Sequence, residues 1–345
     1  MEKKHPIAVG EDSDAFRAIL KKIKQDKNKK YNCIVGVSGG RDSTYCLYLA
    51  KKYGLRPLAV HFDNGWNSEI STKNVKSACN LLDIELYTYV ADWEKFKDIQ
   101  LAFLMASTSD ADIPTDYAIY SLLFQVAKKE KIKYIINGHS FQTEGSTPIS
   151  WTYMDYRYIK NVYSKFGKFR NLKGIPLMSL VDFIWYVLVS GTKEVRMLEL
   201  VEYNRDRVTQ MLESELEWRY YGGHHHENNF TKFFQSYYLP VKFGIDKRKV
   251  EYSALIRSGQ ISVEDALKNI EEKYPYDEEL ITYVQKKLSI TPEEFNQIML
   301  TPVSSHNAYK TYLPLIRMLR GPIKIAVSMR LLPQILYLKY AKFNS

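Results

Sequence analysis

Four short apolar runs punctuate the first half of the chain: CIVGV (33–37), LAVHF (58–62), LYTYV (86–90) and YIIN (134–137). Each is rich in β-branched or aromatic residues, the composition of a strand. Between them the apolar positions fall at helical spacing, over about 43–53, 71–82, 93–106 and 117–131. Strands alternating with helices predict an α/β fold with a parallel, doubly wound sheet. Ligands of such sheets bind beyond the carboxyl ends of the strands, which puts Ser38–Ser43, Asp63–Trp66 and Gly138–Glu144 on one rim. A preceding helix is expected, capped by Asp12 or Ser13, with Phe16, Ile19, Leu20 and Ile23 on one face. KQDKNKK (24–30) then reads as a solvated linker.

The alternation stops after about residue 150. PLMSLVDFIWYVLVSG (176–191) is apolar, but its length and Asp182 argue against a membrane span, and a buried helix is expected. RDRVTQMLESELEW (205–218), SVEDALKNIEEKY (262–274) and DEELITYVQKKL (277–288) have the pattern of amphipathic helices. The pattern divides the chain into an N-terminal helix and linker (1–30), an α/β domain (31–170) and a mostly helical C-terminal domain (171–345).

Composition adds little to the fold and more to the partners. The net charge is +10, and the tail 301–345 contains seven Lys or Arg and no Asp or Glu. That balance favours anionic partners without choosing among them. Cys33, Cys46 and Cys79 form no C-x-x-C pair, which argues against a disulfide scaffold and a four-cysteine zinc site. All three fall in expected strands or helices and read as core. The charged start Glu2, Lys3, Lys4 is followed by no apolar leader, so a cytoplasmic location is expected.

The chemistry concentrates in VSGGRDST (37–44). Ser38, Gly39 and Gly40 follow a strand, and Asp42 and Ser43 open a helix, an arrangement of hydroxyl and backbone donors that suits a phosphate. A Gly-Gly turn between strand and helix is the plainer reading of S-G-G alone. Neither G-x-x-x-x-G-K-[ST] nor G-x-G-x-x-G is present. S-G-G-x-D-S after an apolar strand resembles the PP-loop of the ATP pyrophosphatases, among them asparagine, GMP and NAD synthetases and tRNA thiolation enzymes. The resemblance implies ATP and Mg²⁺ as cofactors and cleavage between the α and β phosphates. It implies phosphate contacts from Ser38, Gly39, Gly40 and Ser43, nucleotide contacts at His61 and Gly138, and Asp42 as ligand of the Mg²⁺ on the departing pyrophosphate.

VHFDNGWNSE (60–69), DWEKF (92–96), IPTDYAIY (113–120), INGHSFQTEG (136–145), IRSGQISVEDAL (256–267) and above all EWRYYGGHHHENNFTKFFQSYYLPVKFGIDKRK (217–249) together resemble the N-acetyl sugar amidotransferases of the WbpG/PseA type. That family implies conversion of an acetamido group on a nucleotide-activated sugar into an acetamidino group, through an imidoyl adenylate that ammonia displaces. It implies a partner glutaminase that supplies the ammonia, with or without a cyclase-like subunit, and no nucleic acid. Family members begin with a four-cysteine segment that MEKKHPIAVGEDSD does not contain, which leaves a structural zinc in doubt.

Within this frame Lys247, Arg248 and Lys249 are either mobile cations for the leaving pyrophosphate or a solvated turn. His139 and Glu144 are substrate contacts or loop caps. Three consecutive histidines diverge on any regular backbone, so in GGHHHENN (222–229) a sugar- or phosphate-contacting role for His225 and Glu227 is preferred to a metal site. Asp63 either helps to hold Mg²⁺ or terminates its strand, and Asp116 is expected to cap the helix beginning at Tyr117. The tail 315–343 offers peripheral membrane contact, helices packed on the body, or a docking face for the glutaminase. Two rival functions are carried forward: tRNA modification of the thiolation type, disfavoured by the isolated cysteines, and a non-catalytic nucleotide-binding subunit of a glycan-assembly complex.

Overall fold

The computed structural model describes residues 13–25, 30–145, 147–169, 171–272, 274, 276–329, 332 and 337–341. The cap alternative Asp12, residues 26–29 of the linker and parts of the tail (330–331, 333–336, 342–345) lie outside the described residues. In chain order the N-terminal elements are α1 (Asp14–Lys24), β1 (Cys33–Gly36), α2 (Arg41–Lys52), β2 (Pro57–Asp63), α3 (Glu69–Leu81), β3 (Leu86–Val90), α4 (Trp93–Met105), α5 (Ile113–Lys129) and β4 (Tyr134–Asn137). Then follow α6 (Tyr156–Phe166), α7 (Leu180–Ile184), β5 (Lys193–Arg196), α8 (Arg205–Leu216), α9 (Asn229–Phe233), α10 (Arg248–Arg257), α11 (Val263–Glu271) and α12 (Glu278–Leu288).

The strands form one sheet in the order β3-β2-β1-β4-β5, and every pair is parallel. Ile34 is flanked by Leu58 on one side and Ile135 on the other, so β1 lies at the centre and is apolar throughout. The order grows outward from β1 in both directions. The gap between the ends of β1 and β4 is therefore the point where the winding reverses, the place where sheets of this kind open a crevice.

Side-chain capping accounts for most of the helix starts. Ser13 Oγ accepts from the Phe16 N–H at 3.2 Å, Ser68 caps α3 and Asp92 caps α4. Asp116 does not cap: α5 already begins at Ile113, so Asp116 sits inside its first turn, where the helix dipole favours an acid. Strand β5 escapes the sequence pattern because Lys-Glu-Val-Arg offers a single apolar side chain at a sheet edge. The run 176–191 is corrected too. It forms α7, closed by a Ser179–Asp182 capping box, and continues as a π-helical turn over Trp185–Val189. Of this helix only Tyr186 is buried, while Val181 and Val189 are 75% and 68% exposed. A run without a polar face carries no directional signal, so burial could not be read from it. Among the described residues no helix is long and apolar enough to cross a membrane.

Two compact units result, and they interleave along the chain where the division read from the sequence is linear. One comprises residues 1–91, 123–146 and 193–284, the other 92–122, 147–192 and 285–345. The first contains the sheet, and its core joins Phe16, Leu20 and Ile23 of α1 to Cys46, Leu49 and Ala50 of α2 and to Val208, Leu212 and Leu216 of α8. The second is helical and built around buried polar pairs. Tyr158 donates to Asp110 at 2.8 Å, Tyr163 donates to Asp98 at 2.9 Å, and Asp155 accepts from the backbone N–H groups of Tyr158 and Tyr312 at 2.6 and 2.7 Å. The hydrogen bonds offset the cost of burying these carboxylates.

The turn after β1 is the tightest point of the first unit. Gly39 has φ +82, and a β-carbon there would lie 2.3 Å from the Ser71 carbonyl oxygen. Its own carbonyl accepts from Trp218 Nε1 at 2.9 Å and from Asn74 Nδ2 at 3.2 Å. Asn74 also donates to the Arg219 carbonyl and accepts from the Arg219 N–H, both at 2.8 Å, so α3 and the segment after α8 fix the turn together. Gly39→Ala is expected to lose at least about 2 kcal/mol of folding stability, from strained φ and a backbone clash. Urea unfolding measures this, and a loss no larger than that of an ordinary surface substitution would contradict the close approach to Ser71.

Candidate active site

The turn after β1 gathers hydroxyls as well as amides. Ser38 N–H and Oγ both meet Ser43 Oγ at 3.3 Å, the Gly40 N–H donates to Ser38 Oγ at 3.2 Å, and Ser43 Oγ donates back to the Gly40 carbonyl at 3.1 Å. At the start of α2, the Asp42 carboxylate takes the Tyr203 hydroxyl on one oxygen and Thr143 Oγ1 on the other, the latter at 3.5 Å. Arg41 Nε lies 3.5 Å from the first of these oxygens and donates to Tyr203 at 3.2 Å. Burial pushes the Asp42 carboxyl above its usual range and Glu144 adds to this, against the Arg41 charge and the Tyr203 hydrogen bond. Gly138, after β4, sits where a β-carbon would be 3.0 Å from the Ser43 nitrogen, so the β4 loop is pressed against the helix start.

That loop brings His139 Nδ1 onto Glu144 Oε2. Glu144 is well below the ordinary carboxylate range, because His139 and then His225 outweigh the effect of burial. From the opposite side comes the GGHHHENN loop. His225 has φ +60, a left-handed conformation rare for a residue with a side chain, and this turns its ring onto that of His224, with centroids 3.9 Å apart. His226 faces elsewhere, with Nε2 3.1 Å from the Tyr274 hydroxyl. His225 Nε2 lies 3.7 Å from Glu144 Oε1, and His225 Nδ1 lies 3.9 Å from Glu227 Oε1. Glu227 Oε1 then accepts from Ser38 Oγ at 3.0 Å, while its other oxygen is buried with no hydrogen-bond partner. A continuous polar chain thus runs from His139 through Glu144, His225 and Glu227 to Ser38. Burial opposes ionisation of Glu227, yet His225 and the Ser38 hydroxyl hold its carboxyl low.

Several expected contacts are brought together here, and others are not. Ser38, Gly39, Gly40, Asp42, Ser43, Gly138, His139, Glu144, His225 and Glu227 converge on one rim. The charge of Lys247 disfavours protonation of both His224 and His225. Arg248 does not act as a mobile cation. Its guanidinium forks onto Asp246 at 2.7–3.1 Å and donates to the carbonyls of Asn269 and Glu272 at 3.0 and 2.8 Å, tying α10 to the end of α11. The His61 ring is spent on the fold, with Nδ1 2.8 Å from the Val37 carbonyl and Nε2 3.1 Å from Asn67 Nδ2, and the nucleotide contact expected at this strand end is one of backbone groups. Asp63 accepts from the Gly65 N–H at 2.9 Å and closes a turn. Cys33, Cys46 and Cys79 are buried, and burial pushes every thiol up, Cys79 to about 11, so none is poised as a nucleophile.

Tyr203, Asn74, Trp218 and Thr143 complete the site although none was singled out as a contact, and only Trp218 and Thr143 lie within quoted motifs. Trp218 lies inside the long diagnostic block, and an indole beside a Gly-Gly turn was the available signal. The residues fit ATP and a hard cation. Glu227 Oε1 lies 2.8 Å from where a β-carbon on Gly40 would stand, so the cradle is closed by an acid rather than filled by a side chain. The orphaned Glu227 oxygen and the Asp42 carboxylate are the kind of oxygen donors that Mg²⁺ takes.

Residues 32–137 match the family model of the queuosine biosynthesis protein QueC, and residues 227–320 match the C-terminal domain of LPS biosynthesis protein WbpG-like chains. The chain is similar to 7-cyano-7-deazaguanine synthase of Campylobacter jejuni, 42% identical over 73 residues, covering 21% of this chain and 31% of that protein. It is also similar to tRNA(Ile)-lysidine synthase of Chlamydia muridarum, 26% identical over 153 residues, 44% of each chain. The chain thus spans less than half the length of either relative. Among solved structures, NMN synthetase from Francisella tularensis aligns at 13% identity with a TM-score of 0.37, over 80% of this chain and 94% of that one. The S-G-G-R-D-S turn at the reversal point of a parallel sheet and the two family matches together assign the chain to the PP-loop ATP pyrophosphatase superfamily, as a WbpG-type member.

Proposed function

We propose that the protein is an ATP-dependent, AMP-forming amidotransferase that converts an acetamido group of a nucleotide-activated sugar into an acetamidino group. One observation carries the reading: Glu227, where the WbpG-like match begins, accepts a hydrogen bond from Ser38 of the phosphate turn at 3.0 Å. The region matched by the WbpG-like model thereby reaches the phosphate turn, which supports the reading. An amide is a poor electrophile, so its oxygen must first become a leaving group. The amide oxygen attacks the α-phosphorus, the bond to the β-phosphate breaks, and pyrophosphate leaves while the nitrogen loses its proton. Ammonia then adds to the imidoyl carbon and AMP departs with the former amide oxygen.

The chain's own residues orient the reactants and meet developing charge. Ser38, Gly39, Gly40 and Ser43 receive the phosphates, and Asp42 would hold a Mg²⁺ ion, which would supply positive charge to the leaving pyrophosphate. Lys247 adds a cation from the opposite loop, and His139, Glu144, His225 and Glu227 face the acetamido sugar. Ammonia comes from a partner glutaminase, in the cytoplasm. tRNA modification is the second reading, favoured by the tRNA(Ile)-lysidine synthase likeness and the charge of +10.

Incubation with ATP, Mg²⁺, ammonium and a panel of UDP- and CMP-linked acetamido sugars is expected to yield AMP, pyrophosphate and a sugar lighter by the difference between O and NH. Mass spectrometry reads the product, and AMP release driven by tRNA but by none of the sugars would favour the second reading. Lys247→Ala is expected to lower turnover on the order of a hundredfold with an unchanged unfolding midpoint. Arg248→Met behaves oppositely. It loses about 2 kcal/mol of stability by removing the guanidinium from Asp246 and from the carbonyls of Asn269, Ile270 and Glu272, and its turnover per folded molecule stays within a fewfold of the parent.

A further inference from the structure

We propose that Glu144, His224 and His225 form a binding site for a divalent transition ion of the zinc class, separate from the Mg²⁺ that accompanies ATP. The ligand atoms these three residues offer all lie within 4.8 Å of one another. His225 Nε2 and Glu144 Oε1 are 3.7 Å apart, and neighbouring ligands of a tetrahedral zinc ion, each bound at about 2.0–2.2 Å, stand roughly 3.4 Å apart. The pair is thus set at nearly the edge of a zinc tetrahedron with a gap too wide for a direct hydrogen bond.

Backbone geometry gives the site a cause. Consecutive histidines diverge in a helix or a strand, but the left-handed turn at His225 sets its ring 3.9 Å from that of His224, while His226 points away to Tyr274. A left-handed conformation at a residue with a β-carbon is strained and persists where surroundings or function require it. Here it selects two of three histidines for one point in space. Two of the three ligands, Glu144 and His225, are also engaged on their outer faces. His139 meets the far oxygen of Glu144, and Glu227 lies 3.9 Å from the far nitrogen of His225, the outer partners that orient metal ligands and fix imidazole tautomers.

Two imidazoles and one carboxylate are a donor set for zinc or a neighbouring first-row ion rather than for Mg²⁺, which takes oxygen ligands. Three protein ligands leave a fourth position for an incoming oxygen or nitrogen donor, the pattern of open rather than closed zinc sites. The polar chain leaves His225 one carboxylate away from the phosphate turn, through Glu227 and Ser38. In the proposed reaction the metal would mediate the contact of Glu144 and His225 with substrate, but the site itself rests on geometry and not on that reaction.

The test uses the full chain, stripped with a chelator and titrated with Zn²⁺ alone, without nucleotide or sugar, so that its failure leaves the amidotransferase reading standing. One equivalent of Zn²⁺ is expected to bind and raise the melting temperature, and Co²⁺ is expected to give the visible absorption of a tetrahedral site. His224→Gln and His225→Asn should each weaken Zn²⁺ binding at least about tenfold and abolish the cobalt spectrum. Asn tolerates the left-handed backbone, so His225→Asn removes the imidazole while keeping the turn, and circular dichroism checks that both variants fold. His226→Gln should retain the metal. Absence of stoichiometric uptake by the parent chain, or unchanged affinity in both folded variants, overturns the site.

Discussion

The site depends on one constraint: the backbone after β1 must reverse within two residues while leaving its donors free for a ligand. Gly39 accomplishes this at φ +82, and the carbonyl that the reversal turns inward would be orphaned without Trp218 and Asn74. Those two donors come from the segment after α8 and from α3, so the phosphate turn is held by residues 179 and 35 positions away in the chain. The same clamp fixes where Trp218 sits, and hence where the chain enters the GGHHHENN loop a few residues later. Nucleotide turn and histidine loop are therefore positioned by one set of hydrogen bonds.

That coupling explains why the site mixes so many acids with a phosphate motif. A buried carboxylate beside a diphosphate is repelled by roughly 4 kcal/mol per pair of unit charges at 4 Å and an intermediate dielectric. Glu227 touches Ser38 and keeps one oxygen without a hydrogen-bond partner, and Asp42 stands at the head of α2. Such an arrangement is tolerable only where cations or proton donors stand between the charges. Arg41, His225 and Lys247 supply part of that charge, and the remainder matches what a bound cation brings with the nucleotide.

How far the sequence revealed this differs by element. Strands β1 to β4 and most flanking helices were legible because each carries one dominant apolar pattern, and the cap Ser13 was among the two residues the sequence offered, while Ser68 and Asp92 were not read as caps. β5 was invisible because a four-residue edge strand with one apolar side chain has no period to detect. The phosphate turn was legible from its glycines, and the acidic and histidine residues around it from family likeness. Tyr203 and Asn74 were not, since they act through a hydroxyl and an amide whose partners lie 161 and 35 residues away in the chain. Arg248 shows the converse error: three adjacent cations look mobile in sequence, whereas Asp246 two residues earlier had already claimed the middle one.

The histidine run shows why conformation decides chemistry at this site. On a regular backbone His224, His225 and His226 would address three directions, and no ligand would take more than one or two of them. A single left-handed residue changes that assignment: two rings face Glu144, and the third joins Tyr274 in the packing beneath. A loop that merely needed to turn could place Gly, or Asn at little cost, at position 225, as it places Gly222 and Gly223 just before. Retaining an imidazole where the backbone favours its absence trades stability for a side chain at one location. The return on that trade must come from what the ring touches, and what it touches is a pair of carboxylates leading to the phosphate turn.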